Sequence, residues 1–216
     1  IGMPPGNYQA TAKHEKLGAE DRRALQNKQG RVIFGVDMRV VGEDGGDLPW
    51  DGRAFGSLLV RGPWVLRQYF KGEGGDPLQP DEAGRGWFPT GDVVTIDADG
   101  YMLITDRTKD VIKSGGEWIS SIEIENIAVA HPAVAMAACI AVKHPKWDER
   151  PLLVAMRKPG AEVSREELLA FYEGKVARWQ VPDDVVFVES IPLGATGKML
   201  KNRLREQFSD YRLPGT

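Results

Sequence analysis

The sequence predicts a mixed α+β protein, in which a small antiparallel β subdomain is followed by a compact α+β domain. Up to residue 105, runs bounded by glycines alternate apolar and polar residues, and almost none is long enough for a stable helix. Beyond residue 110, two amphipathic helical patterns lie between short apolar runs that are typical of strands. The pattern changes between these positions, which predicts a boundary there.

The connection at the boundary is rich in charge. Four of the five residues from Asp106 to Asp110 are charged, which predicts exposure to solvent. The pair Gly115-Gly116 follows closely and permits backbone conformations that other residues avoid. These features predict a hinge. They are also typical of a charged turn between two strands of one sheet, and the local pattern alone favours the turn.

The composition is typical of a globular protein, with 42% hydrophobic and 27% charged residues among 216. The net charge of −3 does not suggest a nucleic-acid partner. No apolar run approaches the roughly 20 residues of a membrane-spanning helix, and the first residues lack the features of a signal peptide. We therefore expect a cytosolic protein without a transmembrane segment.

The residue types that bind metals or form disulfides are few. Cys139 is the single cysteine and lies in an apolar run, which predicts a buried thiol and excludes an intrachain disulfide. The three histidines do not lie at ligand spacing from one another. The sequence therefore predicts no metal site.

The first part reads as a short helix followed by strands. Residues 19–29 predict a helix, because acidic residues stand in its first turn and Gly30 follows its last. Strands are expected at 36–40 and 56–62. Two apolar runs flank Asp97-Ala98-Asp99-Gly100, which is a strong signal for a hairpin. Together these elements predict a small antiparallel sheet or partial barrel.

The second part alternates helix and strand. Ser120 and Glu123 have capping-box spacing and predict a helix that ends near residue 131, and Ser164 and Glu167 predict another. The second helix would carry an apolar face of Leu168, Tyr172, Val176 and Trp179. Strands are expected at 134–142, 152–156 and 185–188, and a final short helix at 201–208. This alternation predicts a compact domain of about 105 residues.

Two loops could carry chemistry. Gly194-Ala195-Thr196-Gly197-Lys198 places two glycines and a hydroxyl before a lysine, an arrangement that can bind an anion but is also typical of a flexible surface turn. It lacks the spacing of a P-loop. Asp92 could accept two hydrogen bonds from a diol such as a ribose, although capping a turn is the commoner use of such a residue. The basic residues that follow, Lys201, Arg203 and Arg205, suggest either a solvated helix face or an anion site.

Three segments, residues 86–92, 106–120 and 191–201, resemble in order and spacing the last three signature motifs of the adenylate-forming superfamily. This superfamily comprises the acyl-CoA synthetases, the adenylation domains of peptide synthetases and the luciferases. The resemblance covers nearly everything from about Val32 onward. Ser114-Gly-Gly-Glu-Trp-Ile-Ser120, with Arg178-Trp-Gln-Val-Pro182 downstream, is most similar to the medium- and long-chain fatty acyl-CoA ligases.

The resemblance implies a reaction in two steps. A carboxylate attacks the α-phosphate of MgATP to give acyl-AMP and pyrophosphate, and the thiol of CoA then displaces AMP. In the first step Asp92 and Arg107 would bind the ribose, Lys109 would occupy the hinge, and Lys198 would stabilise charge between the carboxylate and the α-phosphate.

In the second step the small domain is expected to swing about the hinge and present another surface. Lys113, Gly115, Gly116, Glu117 and Trp118 would then contact the adenylate and CoA. Trp118 could equally be a core residue, and Lys113 could equally be a solvated strand residue.

The sequence also departs from the family pattern. It lacks the Gly/Ser/Thr-rich phosphate loop and the Thr-Glu motif that meets Mg²⁺, so the metal ligands are expected outside these residues. Leu193 replaces a basic residue of many relatives. We therefore expect residues 1–105 to be the β-rich end of the large adenylation domain, 106–110 the hinge and 111–216 the small mobile domain, and we expect this piece to be inactive by itself.

Other functions remain open at this point. The chain could belong to another adenylate-forming enzyme, such as an aryl-CoA ligase or a carrier-protein-loading domain. It could instead be a non-catalytic module that binds a partner through the basic helix at 198–205. Fatty acid, ATP and CoA are the expected partners of the favoured interpretation, whereas a homodimer and peripheral membrane association of the whole enzyme are left open.

Overall fold

The computed structural model describes residues 6–7 and 12–215, which form two compact units that divide between Thr108 and Lys109. The first unit is an antiparallel sheet with one α-helix, and the second is a mixed sheet covered by helices. The predicted α+β class, with an antiparallel β subdomain preceding a compact α+β domain, is therefore confirmed. In the part of the chain that the structure describes, no helix has the length and apolarity needed to cross a membrane.

The first unit contains a seven-stranded sheet with the order β1-β2-β7-β6-β4-β3, and β5 pairs with β6. Its elements are β1 (Gly6–Asn7), α1 (Ala19–Gln26), β2 (Gly30–Val32), β3 (Asp37–Val41), β4 (Phe55–Arg61), β5 (Gln79–Pro80), β6 (Gly86–Ile96) and β7 (Tyr101–Arg107). All of its strand pairs are antiparallel.

The predicted hairpin joins β6 to β7. The Asp97 carboxylate accepts hydrogen bonds from the backbone N–H groups of Asp99 and Tyr101, each at 2.9 Å. Lys28 lies 2.5 Å from the other carboxylate oxygen of Asp97. These bonds close the turn and fix the register in which β7 lies beside β6.

The second unit contains a five-stranded sheet with the order β10-β11-β8-β9, and β12 pairs in parallel with β11. Its elements are β8 (Ile112–Ser114), β9 (Glu117–Ile119), α2 (Ser121–Val129), β10 (Val134–His144), β11 (Asp148–Arg157), α3 (Arg165–Ala170), β12 (Asp184–Phe187) and α4 (Lys201–Gln207).

Both faces of this sheet are buried. Side chains alternate along its central strands, so each strand contributes apolar residues to a core on either face. Cys139 and Leu153 face a core shared with α2 and α3, whereas Ile140 and Leu152 face a core that contains Leu204 of α4. The helices therefore lie in layers on either side of the sheet. Cys139 is fully buried, as its apolar sequence context predicts.

The helix starts follow the predicted caps. Ser120 Oγ accepts a hydrogen bond from the Glu123 N–H at 3.1 Å, and Ser164 and Glu167 form a reciprocal capping box. The predicted length of α3 is wrong, because the helix ends at Ala170 and the chain turns through Gly174, whose φ is +73°. Trp179 therefore lies beyond the helix and is 43% exposed.

One prediction at the boundary is also wrong. Asp106 was expected to be solvent-exposed with its charged neighbours, but it is fully buried. One of its carboxylate oxygens accepts a hydrogen bond from the Arg107 N–H at 2.7 Å. The charge run is exposed only in part, because alternate residues of β7 face opposite sides of the sheet.

Candidate active site

Asp92 and Arg107, the two predicted ribose ligands, lie directly opposite each other on β6 and β7. Arg107 Nη1 lies 2.8 Å from Asp92 Oδ1, with the Asp92 side chain 17% exposed and that of Arg107 54% exposed. The backbone N–H of Asp92 donates to Thr90 Oγ1 at 3.1 Å, which orients the residue. The pair thus offers a carboxylate acceptor and a guanidinium donor together, a set that suits the two hydroxyls of a ribose.

Lys198 lies at the surface on a closed hairpin. The Gly194 N–H donates to the Lys198 carbonyl at 2.8 Å, and the Gly197 N–H donates to the Gly194 carbonyl at 2.9 Å. Leu193 pairs with Met199 at the base of the loop. The backbone at Lys198 is therefore held by hydrogen bonds within a surface turn, while its side chain is exposed.

Lys113 and Trp118 face each other across β8 and β9. The Lys113 ammonium lies 5.5 Å from the centre of the Trp118 ring, close enough for a cation–π interaction. Trp118 is buried, with 9% exposure, and Lys113 is half-buried with its backbone N–H donating to Glu149 Oε2 at 2.9 Å. The pair is therefore built into the sheet, and Lys113 is not a freely solvated strand residue.

Gly115 and Gly116 form the turn between these strands. Both have positive φ, at +60° and +88°. A side chain at Gly115 would also place its Cβ 2.8 Å from the Trp147 ring, whereas a Cβ at Gly116 would meet open space. The Gly115 N–H donates to the Trp147 carbonyl at 2.9 Å. Glycine is thus required at 115 both by backbone conformation and by the neighbouring ring.

A cleft of about 360 Å³ opens beside this turn. It is lined by Ser114, Gly115, Glu117, Trp147, Arg150, Trp179 and Asp183. The two tryptophans are 42% and 43% exposed, so part of each aromatic surface is open to solvent. Trp147 is not among the site residues predicted from the sequence, although a tryptophan within the polar segment His144-Pro-Lys-Trp-Asp148 is a usable signal.

Arg150 connects three of the residues that line the cleft by hydrogen bonds. Its guanidinium donates to Ser114 Oγ at 3.0 Å, to the Trp179 carbonyl at 2.7 Å and to Asp183 Oδ1 at 2.5 Å. The side chain is buried, so these bonds replace its hydration. Arg150 was also missed, because its role depends on contacts with residues about 30 positions away in the sequence.

Lys109, the predicted hinge residue, is exposed. Its neighbour Asp110 is bound within the second unit, where Arg205 Nη1 lies 2.9 Å from Asp110 Oδ1. The hinge role of residues 106–110 stays a prediction.

The basic segment at the end of the chain is not a continuous solvated face. Lys201 is buried, and Arg205 is paired with Asp110. Two of the four basic side chains are therefore directed to internal partners; the four are Lys198, Lys201, Arg203 and Arg205. Within the described ranges, 6–7 and 12–215, no three His, Cys, Asp or Glu residues are grouped so that they could hold a metal ion.

The second unit matches a known protein family. Residues 123–198 match the family model described as the AMP-binding enzyme C-terminal domain, and the match ends at Lys198. Residues 123–198 therefore belong to the AMP-binding enzyme C-terminal domain family. The resemblance inferred from the motifs is thereby confirmed.

Relatives of this chain include acyl-CoA ligases. The chain is 59% identical to a 3-methylmercaptopropionyl-CoA ligase of Ruegeria lacuscaerulensis, over 92% of its own length and 36% of the relative's. It is 50% identical to a medium-chain-fatty-acid–CoA ligase of Ectopseudomonas oleovorans, over 94% of its own length and 36% of the relative's. The chain therefore spans about a third of the length of the curated relatives it matches.

The fold agrees with a solved relative. The ATP-bound crystal structure of MatB from Rhodopseudomonas palustris superposes with a TM-score of 0.72 at 32% identity, covering 85% of this chain and 36% of that one.

Proposed function

We propose that these residues serve an AMP-forming acyl-CoA ligase, which converts a carboxylic acid, ATP and CoA into acyl-CoA, AMP and pyrophosphate. The observation that carries the proposal is the exposed Lys198 ammonium on a hydrogen-bonded hairpin at the end of the AMP-binding enzyme C-terminal domain. The hydrogen bonds order the backbone at Lys198, which limits the positions that its ammonium has to search before it can act in catalysis.

In the first half-reaction, Lys198 stabilises the negative charge that accumulates as the carboxylate attacks the α-phosphate of ATP. Its ammonium acts on charge that is larger in the transition state than in the substrates, so it accelerates the reaction instead of only binding ATP. Asp92 and Arg107 bind the ribose hydroxyls and set the position of the nucleotide. ATP enters as its Mg²⁺ complex, and we assign no metal ligand to these residues.

In the second half-reaction, the surface around Lys113 and Gly115 serves acyl transfer to CoA. The turn at Gly115-Gly116 offers backbone that a ligand can approach closely, because neither residue has a side chain. The exposed parts of Trp147 and Trp179 can stack on a flat ring of CoA, and Arg150 holds this cleft in shape. The two half-reactions thus use different residues of the second unit. This is what a swing of the small domain between the two half-reactions requires.

The acid is proposed to be aliphatic, within the fatty acid class. This choice is supported by the two relatives, which are named as ligases of aliphatic acids. An aryl acid is the alternative. A partner-binding module is less well supported, because Lys201 and Arg205 use their charges internally.

Lys198→Leu in the full-length protein tests the proposal. Acyl-AMP formation from octanoate and MgATP should fall about 10²–10³-fold in single turnover, the loss expected when one stabilising charge is removed. Thioester formation from supplied octanoyl-AMP should stay within about twofold of wild type, because this step does not need the Lys198 charge.

Arg203→Met is the matched control, since it removes one exposed positive charge from the same segment. It should leave both half-reactions unchanged. Full acyl-AMP formation by Lys198→Leu would refute the role of Lys198, and a wild-type protein that activates neither aliphatic nor aryl acids would refute the proposed function.

A further inference from the structure

Lys201 forms a buried ion pair that neither half-reaction uses directly. Its ammonium lies 2.6 Å from Glu125 Oε1 and donates a hydrogen bond to Ser121 Oγ at 2.7 Å. The two charged side chains are only 8% and 10% exposed. Glu125 Oε1 also accepts a hydrogen bond from the Cys139 N–H at 2.7 Å. A continuous chain of bonds therefore runs from α4 through α2 to the edge strand β10.

This pair lies at the base of the Lys198 hairpin. Lys201 is the first residue of α4, and only Met199 and Leu200 separate it from Lys198. The Leu200 N–H donates to the Pro192 carbonyl at 2.8 Å, so the helix start and the hairpin are one connected piece of backbone. Leu200 provides no side-chain cap to α4. The Lys201 side chain therefore ties this end of the helix to α2.

The other parts of α4 have separate anchors. Leu204 is fully buried in the core beneath the sheet, and Arg205 pairs with Asp110 at 2.9 Å. These contacts hold the middle and the end of the helix. Loss of the Lys201 pair would thus free mainly the end that continues into the hairpin.

The energetics of buried charges indicate that the Lys201–Glu125 pair fixes the position of α4 more than it raises the free energy of unfolding. Removing two charges from water costs several kcal/mol per ion, and a well-packed apolar pair is often as stabilising or more so. A pair with defined distances and extra hydrogen bonds does, however, restrict the helix to one position.

Protection of the sheet edge does not account for Lys201. An N–H of an edge strand that has no neighbouring strand needs another acceptor, and Glu125 supplies one to the buried Cys139. A glutamine could accept the same bond without any cation nearby. Lys201 compensates the charge of Glu125, and its bonds to Glu125 and Ser121 at the same time tie the start of α4 to α2.

We propose that Lys201 is a positioning residue for Lys198. Its buried bonds to Glu125 and Ser121 fix the base of the hairpin. The Lys198 ammonium then reaches the α-phosphate in the first half-reaction because the hairpin is held in one position. This role rests on the proposed ligase function, and it predicts an effect on one half-reaction only.

The test uses the double variant Lys201→Met/Glu125→Gln in the full-length protein. Removing only one partner would leave a buried charge without compensation and could unfold the domain, whereas the double variant leaves none. Lys201→Arg keeps the charge and serves as the conservative variant. Arg203→Met, on the exposed side of the same helix, is the control.

We expect acyl-AMP formation by the double variant to fall about tenfold to a hundredfold, the range expected for a displacement of roughly 1 Å at a reacting group. Thioester formation from supplied acyl-AMP should stay within about twofold. Hydrogen exchange should accelerate at the amides of Gly194, Gly197 and Leu200 and remain slow in β10 and β11. Lys201→Arg should recover at least part of the lost rate, and Arg203→Met should behave as wild type.

Three results would overturn the positioning role. These are unchanged exchange at the hairpin, an unchanged rate of acyl-AMP formation, and an equal fall in both half-reactions, which would indicate general loss of structure. A wild-type protein that makes no acyl-AMP would instead overturn the proposed function and, with it, this role. The exchange measurement would still show whether the pair holds the hairpin.

Discussion

Asp92 and Arg107, the proposed ribose ligands, show at the scale of single residues how strand register brings two side chains together. Each residue alone is ambiguous, since a carboxylate beside Gly91 most often caps a turn. The antiparallel pairing of β6 with β7 places the two side chains opposite each other at 2.8 Å. A diol ligand then has an acceptor and a donor at one place.

Replacement of this carboxylate should affect nucleotide binding. For Asp92→Asn in the full-length protein, we expect the KM for ATP to rise at least about tenfold, because charged hydrogen bonds contribute about 1.5–3 kcal/mol. Steady-state rates at varied ATP concentration measure it. Asp99→Asn, at the exposed turn of the same hairpin, is the control, and an unchanged KM for Asp92→Asn would refute the ribose contact.

Tyr211 provides a prediction of pH dependence. Its hydroxyl donates to the buried Asp184 at 2.5 Å, and burial together with this carboxylate raises the pKa of Tyr211 to about 12. An unfolded tyrosine titrates near pH 10, so between about pH 10 and pH 12 the unfolded chain holds fewer protons than the folded one. The contribution of Tyr211 to the free energy of unfolding therefore decreases as pH rises through this window.

Tyr211→Phe removes this contribution. We expect it to lower the free energy of unfolding by about 1–2 kcal/mol at pH 8, and we expect the difference from wild type to shrink as pH rises above about 10. Urea unfolding at a series of pH values measures it. Tyr69→Phe at an exposed tyrosine should show no such trend, and a constant difference between Tyr211→Phe and wild type would contradict the linkage.

At the scale of elements, local sequence signals predicted where helices begin better than where they end. The capping box at Ser164 forms as predicted, because its bonds are made within four residues. The apolar period that continued to Trp179 did not extend the helix, because the backbone at Gly174 is left-handed. Periodicity reports which residues could share a face, whereas the tertiary fold determines where the chain turns.

The turn between β8 and β9 allows a matched comparison. Gly115→Ala and Gly116→Ala both place a side chain at positive φ, which costs about 1–2 kcal/mol each. Only Gly115→Ala also collides with the Trp147 ring. We expect thioester formation from acyl-AMP to fall at least about tenfold more for Gly115→Ala than for Gly116→Ala, with acyl-AMP formation similar in both.

Rapid-mixing assays of the two half-reactions measure this difference, and tryptophan fluorescence reports the displacement of Trp147. Equal effects of the two substitutions would show that the packing of Trp147 on Gly115 does not matter for the second half-reaction.

At the scale of the whole molecule, the proposed roles are divided between the two units. The first unit supplies the proposed ribose ligands Asp92 and Arg107, and the second supplies Lys198 and the cleft beside Gly115. The 216 residues contain no Gly/Ser/Thr-rich phosphate loop. Under the proposed function, the backbone cradle for the polyphosphate of ATP has to come from other residues.

The 216-residue polypeptide should consequently be inactive by itself. With MgATP, octanoate and CoA we expect no release of pyrophosphate above the blank, whereas the full-length protein should release it. A coupled pyrophosphate assay measures both. Release by the polypeptide at a rate near that of the full-length protein would show that these residues suffice for adenylation.

The sequence by itself determined the fold class, the caps and turns, and the motifs that contain Asp92, Lys113 and Lys198. These features depend on residue type and short spacing, which are visible in a linear chain. Only the tertiary structure decided that Asp106 and Lys201 are buried and that Arg150 shapes the cleft. Burial and pairing of a charge depend on partners brought close by folding, and the buried lysine bound to Glu125 therefore looked, in the sequence, like one more basic residue on a helix surface.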